Sequence, residues 1–139
     1  MYKRQALNYS DNGTFHSPII GWAYDGNPIY GPHGYLNPIN IQSSIKILKP
    51  GYSLDITKVK DRPSSFSPGF FIEDYSFNDD GDLDKHNGRF CITPEFPNGV
   101  YAYFAGVTTS LTSNTLEPLY PYFVGNSFKS EFILSLIHI

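Results

Sequence analysis

Asp80, Asp82 and Asp84 carry the best metal-ligand spacing in this sequence. Carboxylates at alternate loop positions are how an EF-hand supplies oxygens to Ca²⁺. Counted from Asp80, however, the sixth position is Lys85 where the turn needs Gly, and the twelfth is Cys91 where a bidentate Glu belongs. An EF-hand is excluded, which leaves an irregular Ca²⁺ site or a solvated acidic loop. The histidines His16, His33, His86 and His138 share neither H-x-H nor H-x-x-x-H spacing, so zinc ligation would need the fold to gather them with carboxylates. His33, between Pro32 and Gly34, reads as an exposed turn residue. Cys91 lies in the apolar run Phe90-Cys91-Ile92 and reads as a small buried hydrophobe. Glu73 and Asp74 are adjacent on a predicted strand, point to opposite faces, and so cannot flank one bond. No G-x-S-x-G, G-x-G-x-x-G or P-loop occurs. Asp25, Glu73, Asp84 and Glu95 meet only if the fold brings them together. No catalytic residue and no cofactor is read from these patterns.

The elements that must position these groups are short and punctuated by Gly, Pro and Asn. The central one is Asn87–Val107: Arg89–Thr93 and Val100–Ala105 are strands, and Pro94–Gly99 reverses the chain between them. Ile19–Tyr24 is a strand turned at Asp25-Gly26-Asn27, and Ile29-Tyr30 returns. Because Pro28 lacks a backbone donor, that return lies on an edge or begins at the proline. Gly31–Gly34 reads as a turn, and Asn37–Ser44 as a loop or short helical turn. Ile45–Leu48 and Tyr52–Val59 read as a strand pair broken at Pro50-Gly51, and Asp61–Pro68 as a loop. Gly69–Phe77 is read as a strand, Asn78–Asn87 as an acidic loop, Thr108–Pro118 as a connection, and Tyr120–Phe128 as a last strand. The pattern predicts a mainly β single domain, an irregular sandwich or barrel of short strands with long Gly/Pro-rich loops. Residues 16–128 form that domain. Residues 1–15 read as a lead-in from a longer chain. The tail 129–139 is apolar for a chain end, and reads as one more strand or as residues foreign to the fold.

With 139 residues the chain is long enough for one self-sufficient core. Its net charge of −3 and scattered basic residues disfavour a nucleic-acid partner. The densest basic stretch, Lys58–Arg62, reads as a solvated strand end. One cysteine allows no internal disulfide, which fits a reducing compartment. The first residues lack a signal-peptide core, and no apolar run is long enough for membrane insertion as a helix. Eleven Tyr and 11 Phe are many for so few charges. Such rings fill a β core and its rims, or present flat platforms to sugars and protein partners.

Three blocks resemble a known family: HSPIIGWAYDGNPIYG, then GDLDKHNGRFCITPEFPNGVYAYFA, then PYFVGNSF. Their order is that of YHYH-domain proteins, named for a Tyr-His-Tyr-His strand after a P-E-x-P-[ND]-G turn. This form is similar to copies within virion structural proteins of marine tailed phages, often tail or baseplate components. Matched positions are His16, Asp25, Tyr30, Asp84, Asn87, Glu95, Tyr101 and Tyr103. The departure is that Ala102 and Phe104 replace both name-giving histidines. On a strand those positions share one face, about 7 Å apart. In histidine-bearing relatives they could present two imidazoles to a ligand; here they offer a methyl and a phenyl, neither with a donor atom. His86 also stands where many relatives carry a cysteine, removing a disulfide that the resemblance implies. The matched carboxylates and amides read as caps of turn backbone donors.

The resemblance therefore implies a non-catalytic scaffold or contact module of a virion protein, assembled in the host cytoplasm. Its partners would be other virion proteins or the remainder of a larger polypeptide. Two alternatives belong to other classes. One is a host-surface glycan-binding module acting through exposed rings. The other is a metal-binding or metal-dependent hydrolase domain using Asp25, His16 and the Asp80–Asp84 carboxylates.

Overall fold

The computed structural model describes residues 13–55, 65–109 and 115–130. Its centre is a four-stranded sheet built from β1 (Ile19–Trp22), β2 (Pro28–Tyr30), β7 (Gly88–Cys91) and β8 (Val100–Phe104), in the order β1-β2-β8-β7. β1 and β2 form an antiparallel hairpin with a register irregularity between Ile19 and Gly21. β7 and β8 form the second hairpin, with Arg89 opposite Ala102 and Cys91 opposite Val100. The hairpins join through a parallel pairing that sets Ile29 opposite Tyr103. β2 is thus an inner strand that begins at its proline, the second of the two placements that a missing N–H permits.

Three two-stranded ribbons surround this sheet: β3 (His33–Tyr35) with β4 (Ile45–Ile47), β5 (Tyr52–Leu54) with β6 (Tyr75–Phe77), and β9 (Val107–Thr109) with β10 (Leu116–Pro118). The mainly β expectation holds. The core gathers Tyr30, Leu48, Leu83, Cys91, Ala102 and Phe104, with Ile19 and Val100 against it. Tyr30 stacks on Phe104 at 5.6 Å between ring centres, and Cys91 is a small buried hydrophobe as expected.

Several segments depart from expectation, each for a local reason. His33–Tyr35 is a strand, not a turn, and His33 is buried: its N–H donates to Ser17 Oγ and its carbonyl accepts from Ser17 N–H. β4 and β5 do not pair with each other, because the chain breaks at Pro50-Gly51 and each finds another ribbon partner. A Cβ on Gly51 would stand 2.6 Å from the Phe77 ring, so this corner admits no side chain. Residues 69–74 are not strand. The Asp74 carboxylate accepts from Gly69 N–H and Phe71 N–H and folds the chain into a 3-10 turn, Ile72–Asp74. Glu73 and Asp74 consequently do not sit on alternate strand faces.

Residues 107–118 contain the β9–β10 pair where a plain connection was expected; Val107, Thr108 and Thr109 are β-branched and suit a strand. Tyr120–Phe128 is not a strand. Pro121 cannot donate, Tyr122 takes φ 74°, and Tyr122 N–H bonds back to Leu119 carbonyl. The Lys58–Arg62 stretch, His138 and residues 131–139 lie outside the described residues. No described helix is long and apolar enough to cross a membrane.

Candidate functional site

Strand alternation on β8 divides the signature residues between two faces. Ala102 and Phe104 enter the core, both fully buried, as a hydrocarbon face should. Tyr101 and Tyr103 point the other way, ring centres 5.4 Å apart and nearly perpendicular. β7 lies beside them, and a Cβ on Gly88 would meet the Ala102 carbonyl at 2.5 Å and the Tyr101 ring at 2.8 Å. The Asn87-Gly88 pair is therefore required twice: Asn87 takes φ 69°, and Gly88 leaves room for the ring.

Each signature tyrosine ends on a carboxylate. Tyr103 donates to Asp25 Oδ2 at 2.5 Å, and the Tyr101 hydroxyl lies 2.7 and 2.8 Å from the two oxygens of Asp84. Asp25 closes its own turn by accepting from Asn27 N–H and Nδ2. Asp84 does the same for His86 N–H and Gly88 N–H. The expected capping role is present, with a phenol added to each cap. A third pair follows this logic on the core side: the buried Tyr30 hydroxyl lies 3.0 Å from Glu95 Oε1 and 2.8 Å from Thr93 Oγ1. Asn87 pins the hairpin instead, its Nδ2 donating to the carbonyls of Phe104 and Phe123. His16 is buried against the rings of Tyr30 and Tyr35, both at 4.9 Å, with Nδ1 2.8 Å from Ser17 carbonyl.

The electrostatics follow from burial and these bonds. Burial first, then the adjoining carboxylate, pushes the Tyr101 and Tyr103 phenols well above their ordinary range. Burial does the same for Tyr30, with Glu95 adding to it. For Asp25 burial acts upward, but the bonds from Tyr103, Ser130 N–H and Asn27 outweigh it and leave the carboxyl below its usual value. A phenol kept neutral beside an ionised carboxylate is a strong hydrogen-bond pair; it is a poor proton shuttle near neutral pH.

The calcium-type loop is not gathered into a ligand set. Asp82 pairs with Lys46 Nζ at 2.9 Å and caps Lys49 N–H, Asp80 lies 3.9 Å from Lys49 Nζ, and Asp84 serves Tyr101. Among the described residues no three His, Cys, Asp or Glu side chains are grouped to hold an ion. Of the four carboxylates that the sequence left open, Asp25 and Asp84 each hold one tyrosine of the perpendicular pair. Glu95 belongs to Tyr30, and Glu73 faces neither.

Sequence reasoning missed the cover of this face. Residues 125–130 run across it: Gly125 N–H donates to His86 carbonyl, Lys129 N–H to Tyr103 Oη at 2.8 Å, and Ser130 N–H to Asp25 at 3.1 Å. No local pattern announces contacts between partners 26 to 105 residues apart.

A small mainly β module whose tyrosines are tied to loop carboxylates is thus the class that fold and site define. The YHYH protein family model matches residues 3–117, and the chain belongs to that family. No curated protein and no solved structure matches it.

Proposed function

We propose that this chain is a non-catalytic structural module of a phage virion protein, acting as scaffold or contact surface. One observation carries the reading: where the family name places two histidines the chain has Ala102 and Phe104, both fully buried. Without donor atoms and without solvent access, that face contributes packing alone. The carboxylates that could have replaced the imidazoles are occupied by phenols and turn amides. The virion setting is supported by the likeness of the three sequence blocks to phage tail and baseplate copies. Its partners are then other virion proteins or the remainder of a longer polypeptide, and its location is the particle.

The test assays the purified chain against a broad hydrolase and oxidoreductase panel and probes purified particles with an antibody to the module. No turnover and labelled particles are expected. Turnover abolished by Asp25→Ala would overturn the reading. A second reading, host-surface glycan binding, is favoured by one observation: Trp22 and Tyr24 are 59% and 82% exposed, with Trp22 held edge-on to Phe96 at 6.5 Å. A glycan array without hits above background removes it. The metal-dependent hydrolase alternative gains nothing from the diverging Asp80, Asp82 and Asp84.

A further inference from the structure

The face bearing Tyr101 and Tyr103 is covered by chain that lies beyond the family match, which ends at residue 117. The way it is covered has the chemistry of peptide recognition. Main-chain groups supply part of the contacts: the N–H groups of Lys129 and Ser130 donate to Tyr103 Oη and Asp25 Oδ2, and the Ser127 carbonyl lies 2.9 Å from His86 Nδ1. Side chains add sequence preference: Asn27 Nδ2 donates to Ser130 Oγ at 3.1 Å, Tyr120 Oη donates to Asn126 Oδ1 at 2.9 Å, and Ser127 Oγ lies 3.0 Å from His86 Nδ1. Lys129 Nζ sits 5.7 Å over the Tyr101 ring, and the Phe128 ring packs at 6.2 Å against Tyr24. Residues 125–130 form no strand, and Asn126, Ser127, Lys129 and Ser130 are exposed. The strap is held by a handful of bonds at its inner edge.

We infer that this face is a docking surface for an extended segment, with an aromatic residue followed by Lys, from another chain of the assembly. In the conformation described, the chain's own residues 125–130 occupy the surface and compete for it. The argument for that occupant is complementarity. Two carboxylates, Asp25 and Asp84, lie under a surface whose present cover brings one cation and two N–H donors. A segment without the cation leaves the Tyr101 ring face unused, and an acidic one meets two like charges. The inference rests on the contact-surface reading above and gives that surface its location and ligand class.

The test uses the full chain. Lys129→Pro removes the N–H bonded to Tyr103 and opens the strap without altering the face. The probe is a fluorescein-labelled peptide of residues 125–130, Gly-Asn-Ser-Phe-Lys-Ser, read by anisotropy. The control peptide carries Ala for Phe and Glu for Lys. The variant is expected to bind the probe at least tenfold more tightly than the wild-type chain does, and the control not at all. A folded variant that ignores the probe, or binds both peptides alike, overturns the inference. If the variant does not fold, native-state hydrogen exchange of the wild-type chain decides. The amides of Lys129 and Ser130 should exchange at least 100-fold faster than that of Ala105, which donates to Tyr30 carbonyl inside the sheet. Equal rates would mean that the strap never opens alone, and would also overturn it. Failure of either kind leaves the non-catalytic reading standing, whereas substrate turnover removes that reading whatever the peptide does.

Discussion

Tyr103 donates its hydroxyl to Asp25 at 2.5 Å, joining the β8 strand to the β1–β2 turn across 78 residues of sequence. This bond ties together the two hairpins that meet at the parallel β2–β8 junction, where only two residue pairs are in register. A junction so short draws much of its order from side chains.

Asp25→Ala removes the acceptor of Tyr103, Ser130 N–H and the Asn27 amides together. Hydrogen bonds to an ionised group contribute about 1.5–3 kcal/mol each when buried, and less at a half-exposed carboxylate. The expected loss is about 2 kcal/mol for Ala and about half that for Asn, which keeps an acceptor. Chemical denaturation of the two variants checks the order. Equal stability of Asp25→Ala and the unaltered chain would mean that the junction stands without this bond.

Acid should weaken the fold in a defined window. Asp25 and Asp82 both lie below their ordinary value of 3.8; for each, burial acts upward and is outweighed, by Tyr103 and backbone donors in the first and by Lys49 N–H and Lys46 in the second. The unfolded chain therefore takes up protons first as pH falls. The stabilisation from these groups is complete above about pH 4 and is lost as pH drops through the folded-state values. Asp25→Asn and Asp82→Asn should each flatten the fall in thermal midpoint between about pH 4 and pH 2. A midpoint curve identical to that of the unaltered chain would contradict the assignment.

Alkali acts through the phenols with the opposite sign. Tyr30, Tyr101 and Tyr103 are all raised above the ordinary 10.0, by burial first and by their hydrogen-bonded or nearby carboxylates second. The stability they contribute is complete below about pH 10 and disappears as pH rises beyond it. Absorbance at tyrosinate wavelengths should show ordinary tyrosines ionising first and a late group ionising only with unfolding. Tyr103→Phe should shrink that late group by one. A single transition covering all 11 tyrosines would show that none is protected.

The sequence was most legible where local chemistry decides the structure. The β7–β8 hairpin, the Asp25–Asn27 turn and the burial of Cys91, Ala102 and Phe104 follow from turn residues and strand alternation. The YHYH positions Asp25, Asp84, Glu95, Tyr30, Tyr101 and Tyr103 could be named as motif residues. Their pairing into three phenol–carboxylate contacts could not, because partners 17 to 78 residues apart leave no local signature. Ribbons failed for a related reason. A three-residue strand such as His33–Tyr35 has too little periodicity to outweigh its flanking Pro and Gly, and exists because Ile45–Ile47 pairs with it. Gly69–Phe71 looked like strand from its rings, yet the Asp74 carboxylate offered its backbone donors a nearer partner.

Restoring the family's histidines tests whether the hydrocarbon face is compatible with their chemistry at all. Ala102→His must fit an imidazole where a methyl is already fully buried beside Tyr30 and Cys91 in the core cluster. Phe104→His replaces a ring that stacks on Tyr30 at 5.6 Å, contacts His16 at 5.8 Å and lies 5.6 Å from the Arg89 guanidinium. A nearby cation and a dry environment both disfavour imidazolium, so each new histidine would sit neutral with polar nitrogens in need of partners. Overpacking and unpaired polar atoms together should cost the double variant about 3–5 kcal/mol. Zinc should not recover it, because the paired imidazoles would face packed side chains with no room for an ion and its remaining ligands. The measurement is the thermal midpoint of the double variant with and without zinc. A zinc-dependent rise absent from the unaltered chain would show that this face can open into a metal site.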